Sequence, residues 1–218
     1  MKAAIYAFCA SLVLASFSCL AAEPTNLHVA IQQLMQYHDT GVYDKDVVRV
    51  NHHALRYLKA RVAQANFHGK PAIVLDIDET SLSNYQDMEH QRFGGTMAQI
   101  NKDIEKGTDP VIPSTLKLYN YAKTHGVAVI FLTGRKEEQR AITEANLKNA
   151  GYGDWDKLIL RDGEHRSDPA LTYKTAARKA LVTEGYDIIL NMGDQQSDLV
   201  GGYADKAFKL PNPYYFIG

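Results

Sequence analysis

An apolar run, Ala72-Ile73-Val74-Leu75, leads directly into Asp76-Ile77-Asp78-Glu79-Thr80, and Gly69, Lys70 and Pro71 bound it upstream. A run of this length and composition reads as a central parallel strand, apolar on both faces. Asp76 then falls at the carboxyl end of the strand, where open α/β sheets bind ligands. Two acids two residues apart in a poorly hydrated place repel each other and need a neutralising partner. A hard divalent cation, most simply Mg²⁺, suits clustered carboxylates. The plainer alternative is an Asp-rich turn with Asp78 or Thr80 capping the next helix.

The rest of the chain extends this pattern. Residues 26–65 carry apolar positions at helical spacing (Leu27, Ile31, Leu34, Met35, then Val47, Val48, Leu55, Leu58, Val62), which predicts two helices broken near Gly41. His52 and His53 are adjacent and point about 100° apart on a helix, so they read as surface or packing residues, not joint ligands. A polar segment, about 85–110, holds one predicted helix near 96–106 and is read as a small cap insertion. From Pro113 the alternation becomes regular: helix 113–125, strand 127–132, helix 136–150, strand 157–161, helix 168–185, strand 186–191. Such alternation predicts an α/β, Rossmann-like three-layer domain with a central parallel sheet, right-handed crossovers and an N-terminal helical layer.

The later strands also end in polar clusters. Val127–Leu132 runs into Thr133-Gly134-Arg135, and Ile188–Asn191 runs into Met192-Gly193-Asp194-Gln195-Gln196-Ser197-Asp198; between them, Lys174 lies near the start of a helix. Four acids, a hydroxyl, a Lys and an Arg around one rim suit a phosphate bridged to a metal. Each also has a plainer reading: Lys174 as an exposed helix lysine, Asp198 as a surface acid, and Arg135 as part of a solvated face with Lys136, Glu137, Glu138 and Arg140. Trp155 reads as core packing beside a strand, while Tyr85 and Phe93 fit either packing or a stacking platform.

The ordered set Asp76-x-Asp78-x-Thr80, Thr133, Lys174 and Gly193-Asp194-x-x-x-Asp198 resembles the four motifs of the haloacid dehalogenase superfamily. More narrowly, the chain is similar to the secreted acid phosphatases of subfamily IIIB, which include the vegetative storage proteins. The likeness runs from about Pro71 to the end, through LTGRKEEQRAITEANLKNAGY, WDKLILR, YKTAARKALVTEGY, GDQQSDLVG and FKLPNPYY. The resemblance implies a secreted, Mg²⁺-dependent phosphomonoesterase, which could be a 5′-nucleotidase. In it Asp76 is the nucleophile and Asp78 the acid and base. Mg²⁺ is held by Asp76, the Asp78 carbonyl and Asp194, and Asp198 steadies metal-bound water or Lys174. Thr133, Gly134, Arg135 and Lys174 receive the phosphoryl group. Two other readings stay open: a catalytically silent storage or phosphate-binding protein, and transfer of the phosphoryl group to an acceptor alcohol.

The ends and the charge complete the expectations. Lys2, an apolar stretch to Leu20 and small residues before Glu23 read as a signal peptide over residues 1–22, leaving a single domain at 23–218. Cys9 and Cys19 both lie in that segment, so a processed chain has no disulfide. The 24 bases and 25 acids lose only Lys2, which moves the net charge from −1 to about −2. That balance argues against a nucleic-acid polymer or a membrane surface as partner. The expected partner is a small phosphomonoester, and the expected location is secreted, most simply a bacterial periplasm. A homo-oligomer stays open, because the aromatic end Pro211–Phe216 can pack on its own domain or on a neighbouring copy.

Overall fold

The computed structural model describes residues 23–217, so the proposed signal peptide lies outside the described residues. Helices α1 (Leu27–Asp39) and α2 (Val42–Gln64) are separated at Gly41, whose φ of 71° lies in the left-handed region that favours glycine. Five parallel strands follow: β1 (Lys70–Leu75), β2 (Ala128–Lys136), β3 (Lys157–Arg161), β4 (Tyr186–Gly193) and β5 (Ala207–Lys209). The spatial order is β3-β2-β1-β4-β5, so β1 is central and apolar on both faces, as the sequence predicts.

Strand alternation assigns the two cores. Ile73 and Leu75 join Leu58 of α2 and Leu118 of α5 (Pro113–Thr124) on one side. Ala72 and Val74 join Tyr173 and Leu181 of α7 (Ala170–Thr183) on the other. Ile73, Val74 and Leu75 are essentially inaccessible. Burying each contributes on the order of 1.5–3 kcal/mol, which secures the strand that carries Asp76.

Between β1 and α5 the chain makes an excursion containing α3 (Tyr85–His90) and α4 (Met97–Ile104). It leaves and returns at one point, where Ser83 N–H donates to the Pro110 carbonyl and Ile112 N–H to that of Ser81. The helix expected over 136–150 is a short 3-10 turn, Glu137–Gln139, followed by α6 (Arg140–Asn149). β2 extends past the expected Leu132 to Lys136, carrying Thr133-Gly134-Arg135 on its end. The sequence pattern missed α3, α8 (Gln196–Leu199) and β5, each too short to show a period. His52 and His53 are exposed on α2. Trp155 packs edge-on against Phe131 at 5.9 Å. At the C-terminal end, Tyr214 packs on its own domain, 5.5 Å from Tyr43 and 5.6 Å from Phe93.

Candidate active site

The strand order creates the site. From β1 the chain winds outward through β2 and β3, then returns to the other side of β1 as β4. The connections therefore leave β1 and its neighbours in opposite directions, and a crevice opens at their carboxyl ends. Asp76 enters it from β1, with its N–H on the Met192 carbonyl at 3.0 Å, and Asp194 enters it from β4.

Lys174, in the second turn of α7, joins the acids. Its Nζ lies 2.6 Å from Asp76 Oδ1 and also bonds Asp198 Oδ1. All three side chains are buried, so neither the exposed-lysine nor the surface-acid reading holds. One oxygen from each of Asp76, Asp194 and Asp198 lies within 4.8 Å of the others, close enough for a single cation to span them. Burial pushes the Asp76 carboxyl well above its ordinary range; Lys174 opposes this, while Asp198, Asp194 and Asp78 add to it. Burial and the Asp198 charge likewise raise Asp194. Burial works against the Lys174 ammonium, but the Asp76 and Asp198 carboxylates keep it charged. Carboxylates that resist ionisation for want of positive charge are a donor set that fits a divalent metal.

Asp198 is held from behind. Its Oδ2 accepts from Gln195 N–H at 2.8 Å, and its carbonyl accepts from Asn191 Nδ2 at 2.8 Å and Arg178 Nη1 at 2.5 Å. Arg178 is fully buried and ties the Gly202 carbonyl as well, so a buried cation organises the loop without meeting a carboxylate. Gly193 permits the close approach. A Cβ there would sit 2.3 Å from both Cβ and Oδ2 of Asp198. Gly193→Ala is therefore expected to cost about 1–3 kcal/mol in urea unfolding and to lower kcat/KM by moving Asp198 off Lys174. Wild-type values for both would show that the loop yields freely.

Asp78 faces a different partner. Arg135 Nη2 and Nε reach its Oδ1 at 2.7 and 3.1 Å, and Asn84 Nδ2 donates to the same oxygen at 3.0 Å. Burial alone would raise this carboxyl; the Arg135 guanidinium overrides burial and holds it below the ordinary range. The sequence reading put Arg135 with the phosphate contacts. Here its Nη2 also donates to Asp109 Oδ2 at 2.9 Å, so Nε and Nη2 are engaged by two acids, while the buried Nη1 has no partner among the described residues. It is buried, which excludes the solvated helix face. The Asp109 carboxyl is pushed up to about 6 by burial, against the pull of Arg135. Thr133 is fully buried with its Oγ1 accepting from Arg135 N–H at 3.1 Å, and Gly134 faces open space.

Several neighbours escaped sequence reasoning. Glu79 is fully buried, in a left-handed conformation at φ 52°, and burial with the Asp194 and Asp78 charges pushes it up to about 8. Its Oε1 accepts from Asn84 N–H at 2.6 Å and its Oε2 from the Tyr215 hydroxyl at 2.5 Å. Its place inside the Asp76–Thr80 motif was the available signal. Asn84 follows the motif by a few residues, Asp109 comes from the far end of the excursion, and Asn212 and Tyr215 lie in the FKLPNPYY stretch; the sequence pattern assigns none of these a role at the site. Tyr85 is buried, stacked on His38 and 5.4 Å from Tyr214, so it serves packing at least in part.

A family model described as HAD superfamily, subfamily IIIB (acid phosphatase) matches residues 5–218. The chain is similar to a stem 28 kDa glycoprotein of Glycine max, 40% identical over 195 residues, spanning 86% of this chain and 74% of that one. It is similar to acid phosphatase 1 of Solanum lycopersicum, 41% identical over 179 residues, spanning 80% and 69%. Among solved structures it is similar to the class C acid phosphatase from Bacillus anthracis, with a TM-score of 0.72, 26% identity and 86% of each chain covered.

Proposed function

Because the chain belongs to the acid phosphatases of HAD subfamily IIIB, and so is a phosphomonoester hydrolase, we propose that it works through an aspartyl-phosphate with Mg²⁺ in the crevice. The observation that carries this reading is Lys174 bridging Asp76 and Asp198 beside Asp194, a buried set of three acids and one cation at the sheet's switch point.

In this reading an Asp76 oxygen attacks phosphorus as the ester P–O bond breaks, and Asp78 gives its proton to the departing alkoxide. Asp78 then takes a proton from water, whose oxygen displaces Asp76 and releases inorganic phosphate. Lys174, the Thr133 hydroxyl and the Gly134 N–H receive the phosphoryl oxygens and offset the charge that approaches Asp76. Asp76, the Asp78 carbonyl and Asp194 would hold the metal, and Asp198 fixes Lys174. Bound Mg²⁺ supplies charge neutralisation that lets the anionic nucleophile and the anionic phosphate meet. Arg135 orients Asp78. Because Arg135 favours the ionised form of Asp78, leaving-group protonation is best served at acid pH.

The substrate is a small phosphomonoester, with a 5′-nucleotide as one candidate, and secretion follows from the apolar segment at residues 1–22. No helix among the described residues is long and apolar enough to cross a membrane. The test is hydrolysis of an aryl phosphate at about pH 5.5 with Mg²⁺ and with chelator. Turnover that persists in chelator would remove the metal from the reading.

A linked prediction concerns stability. Asp76, Asp194 and Glu79 are all held above their ordinary values of 3.8, 3.8 and 4.5. Between about pH 5 and pH 8 the folded chain retains protons that the unfolded chain has released, so metal-free stability falls as pH rises. A bound cation offsets that charge. The gain in thermal midpoint with Mg²⁺ over chelator is expected to grow across this window, to the order of 5 °C at pH 8. A gain independent of pH would show that these carboxyls do not feel the metal.

A further inference from the structure

The C-terminal segment from Asn212 to Ile217 grips the loop that presents Asp194. Asn212 Nδ2 donates to Asp194 Oδ2 at 2.6 Å, and Gln195 Nε2 donates to the same oxygen at 2.7 Å. Gln195 is itself held by the segment: its Oε1 accepts the Ile217 N–H at 3.0 Å, and its Nε2 also reaches the Tyr215 carbonyl at 3.4 Å. Among the described residues the other carboxylate oxygen, Oδ1, meets only the Thr80 hydroxyl, at 3.4 Å. One oxygen of Asp194 is thus saturated by two amide donors while its twin is left nearly free.

That asymmetry is what a carboxylate needs in order to present a single oxygen to a cation. Without the donors on Oδ2 the group turns about its last torsion and either oxygen competes for the metal, at a cost in orientation. The segment has a footing of its own. Asn212 Oδ1 accepts the Tyr214 N–H at 2.8 Å in an Asx-type turn, Tyr214 is buried in the domain, and the Tyr215 hydroxyl anchors on Glu79. Leu210 N–H closes onto the Gly193 carbonyl at 2.9 Å, so the strap begins beside the same acid that it clamps.

We propose that Asn212 is a positioning residue for Asp194, its side-chain amide setting which carboxylate oxygen faces the metal centre. This rests on the divalent-cation reading above. Asn212 stands eighteen residues beyond Asp194, and its role is to turn one carboxylate oxygen inward by tying down the other.

The test is calorimetric titration of Mg²⁺ or Mn²⁺ into the full chain, comparing wild type with Asn212→Ala, Asn212→Ser and Tyr214→Phe. Asn212→Ser separates the two jobs of the residue. Its hydroxyl still accepts from the Tyr214 N–H to keep the turn, but it is too short to reach Asp194. It carries the test even if Asn212→Ala fails to fold. Both Asn212 variants are expected to bind the cation about 10- to 100-fold more weakly. Tyr214→Phe removes a buried hydroxyl that has no hydrogen-bond partner among the described residues and is expected to keep wild-type affinity. Unchanged affinity in a folded Asn212→Ser chain overturns the proposal. An equal loss in Tyr214→Phe also overturns it, by assigning the effect to packing of the strap. A wild-type chain that takes up no divalent cation fails the metal reading itself, a separate result.

Discussion

An Asp76→Asn chain is expected to fold and to lose at least about 10⁴-fold in kcat for every phosphate ester, because an amide oxygen neither attacks phosphorus nor carries the charge a cation needs. Stability should move the other way. Burial holds the Asp76 carboxyl well above its ordinary range, so a neutral side chain of the same shape removes a cost of folding in metal-free buffer. The thermal midpoint in chelator should equal or exceed that of wild type, while the midpoint gained on adding Mg²⁺ should shrink. Opposite signs in activity and metal-free stability separate loss of the nucleophile from loss of the fold. Residual turnover within about 10-fold of wild type would assign the attack to another group. Silence in the wild type across a survey of esters would instead favour the storage or binding reading of this fold.

Lys174→Met should damage both stability and activity. The ammonium is buried between Asp76 and Asp198, themselves buried, and its removal leaves acids without the charge that makes their burial tolerable. Breaking a buried pair from one side costs about 3–5 kcal/mol, read by urea unfolding in chelator. Saturating Mg²⁺ should recover part of this, since the metal supplies positive charge to the same acids. The loss in kcat/KM should be about 10²–10³-fold even with metal present, because Lys174 also meets the incoming phosphoryl oxygens. Lys174→Arg should not rescue it. A planar fork cannot occupy a place shaped for a point donor 2.6 Å from Asp76. Wild-type stability in the Met variant would show that Asp76 and Asp198 settle their charge without it.

The strands and the main helices were legible because each is long enough to show its period. β3 lies where the pattern puts it, and α5 starts at Pro113 as the capping preference requires. The shorter elements were not, since three or four residues of α8 or β5 contain less than two periods of any pattern. Asp76, Asp194 and Asp198 were legible for a related reason. A polar cluster at the end of an apolar strand is a local contradiction in the sequence, and such contradictions collect at functional sites.

Arg135 marks the limit of that reasoning. Its place after Thr133-Gly134 put it at the right end of the right strand, but the local pattern did not show that two of its nitrogens meet Asp78 and Asp109, the latter from an excursion 26 residues earlier. Asn212 and Tyr215 show the same limit from the C-terminal side, and Glu79 shows it within the motif, where the residue was visible but its burial was not.

By itself the sequence determined four of the sheet's five strands, the central one among them, the residues at the strand ends and the class of chemistry they serve, all of which follow from local periodicity and covalent neighbours. Only the tertiary structure decided which charge answers which. It sent Lys174 to Asp76 and Asp198, Arg135 to Asp78 and Asp109, and Asn212 to the outer oxygen of Asp194. A charge in a buried crevice is settled by whatever lies within about 3 Å of it, and the strand order, not the residue order, brings those groups together.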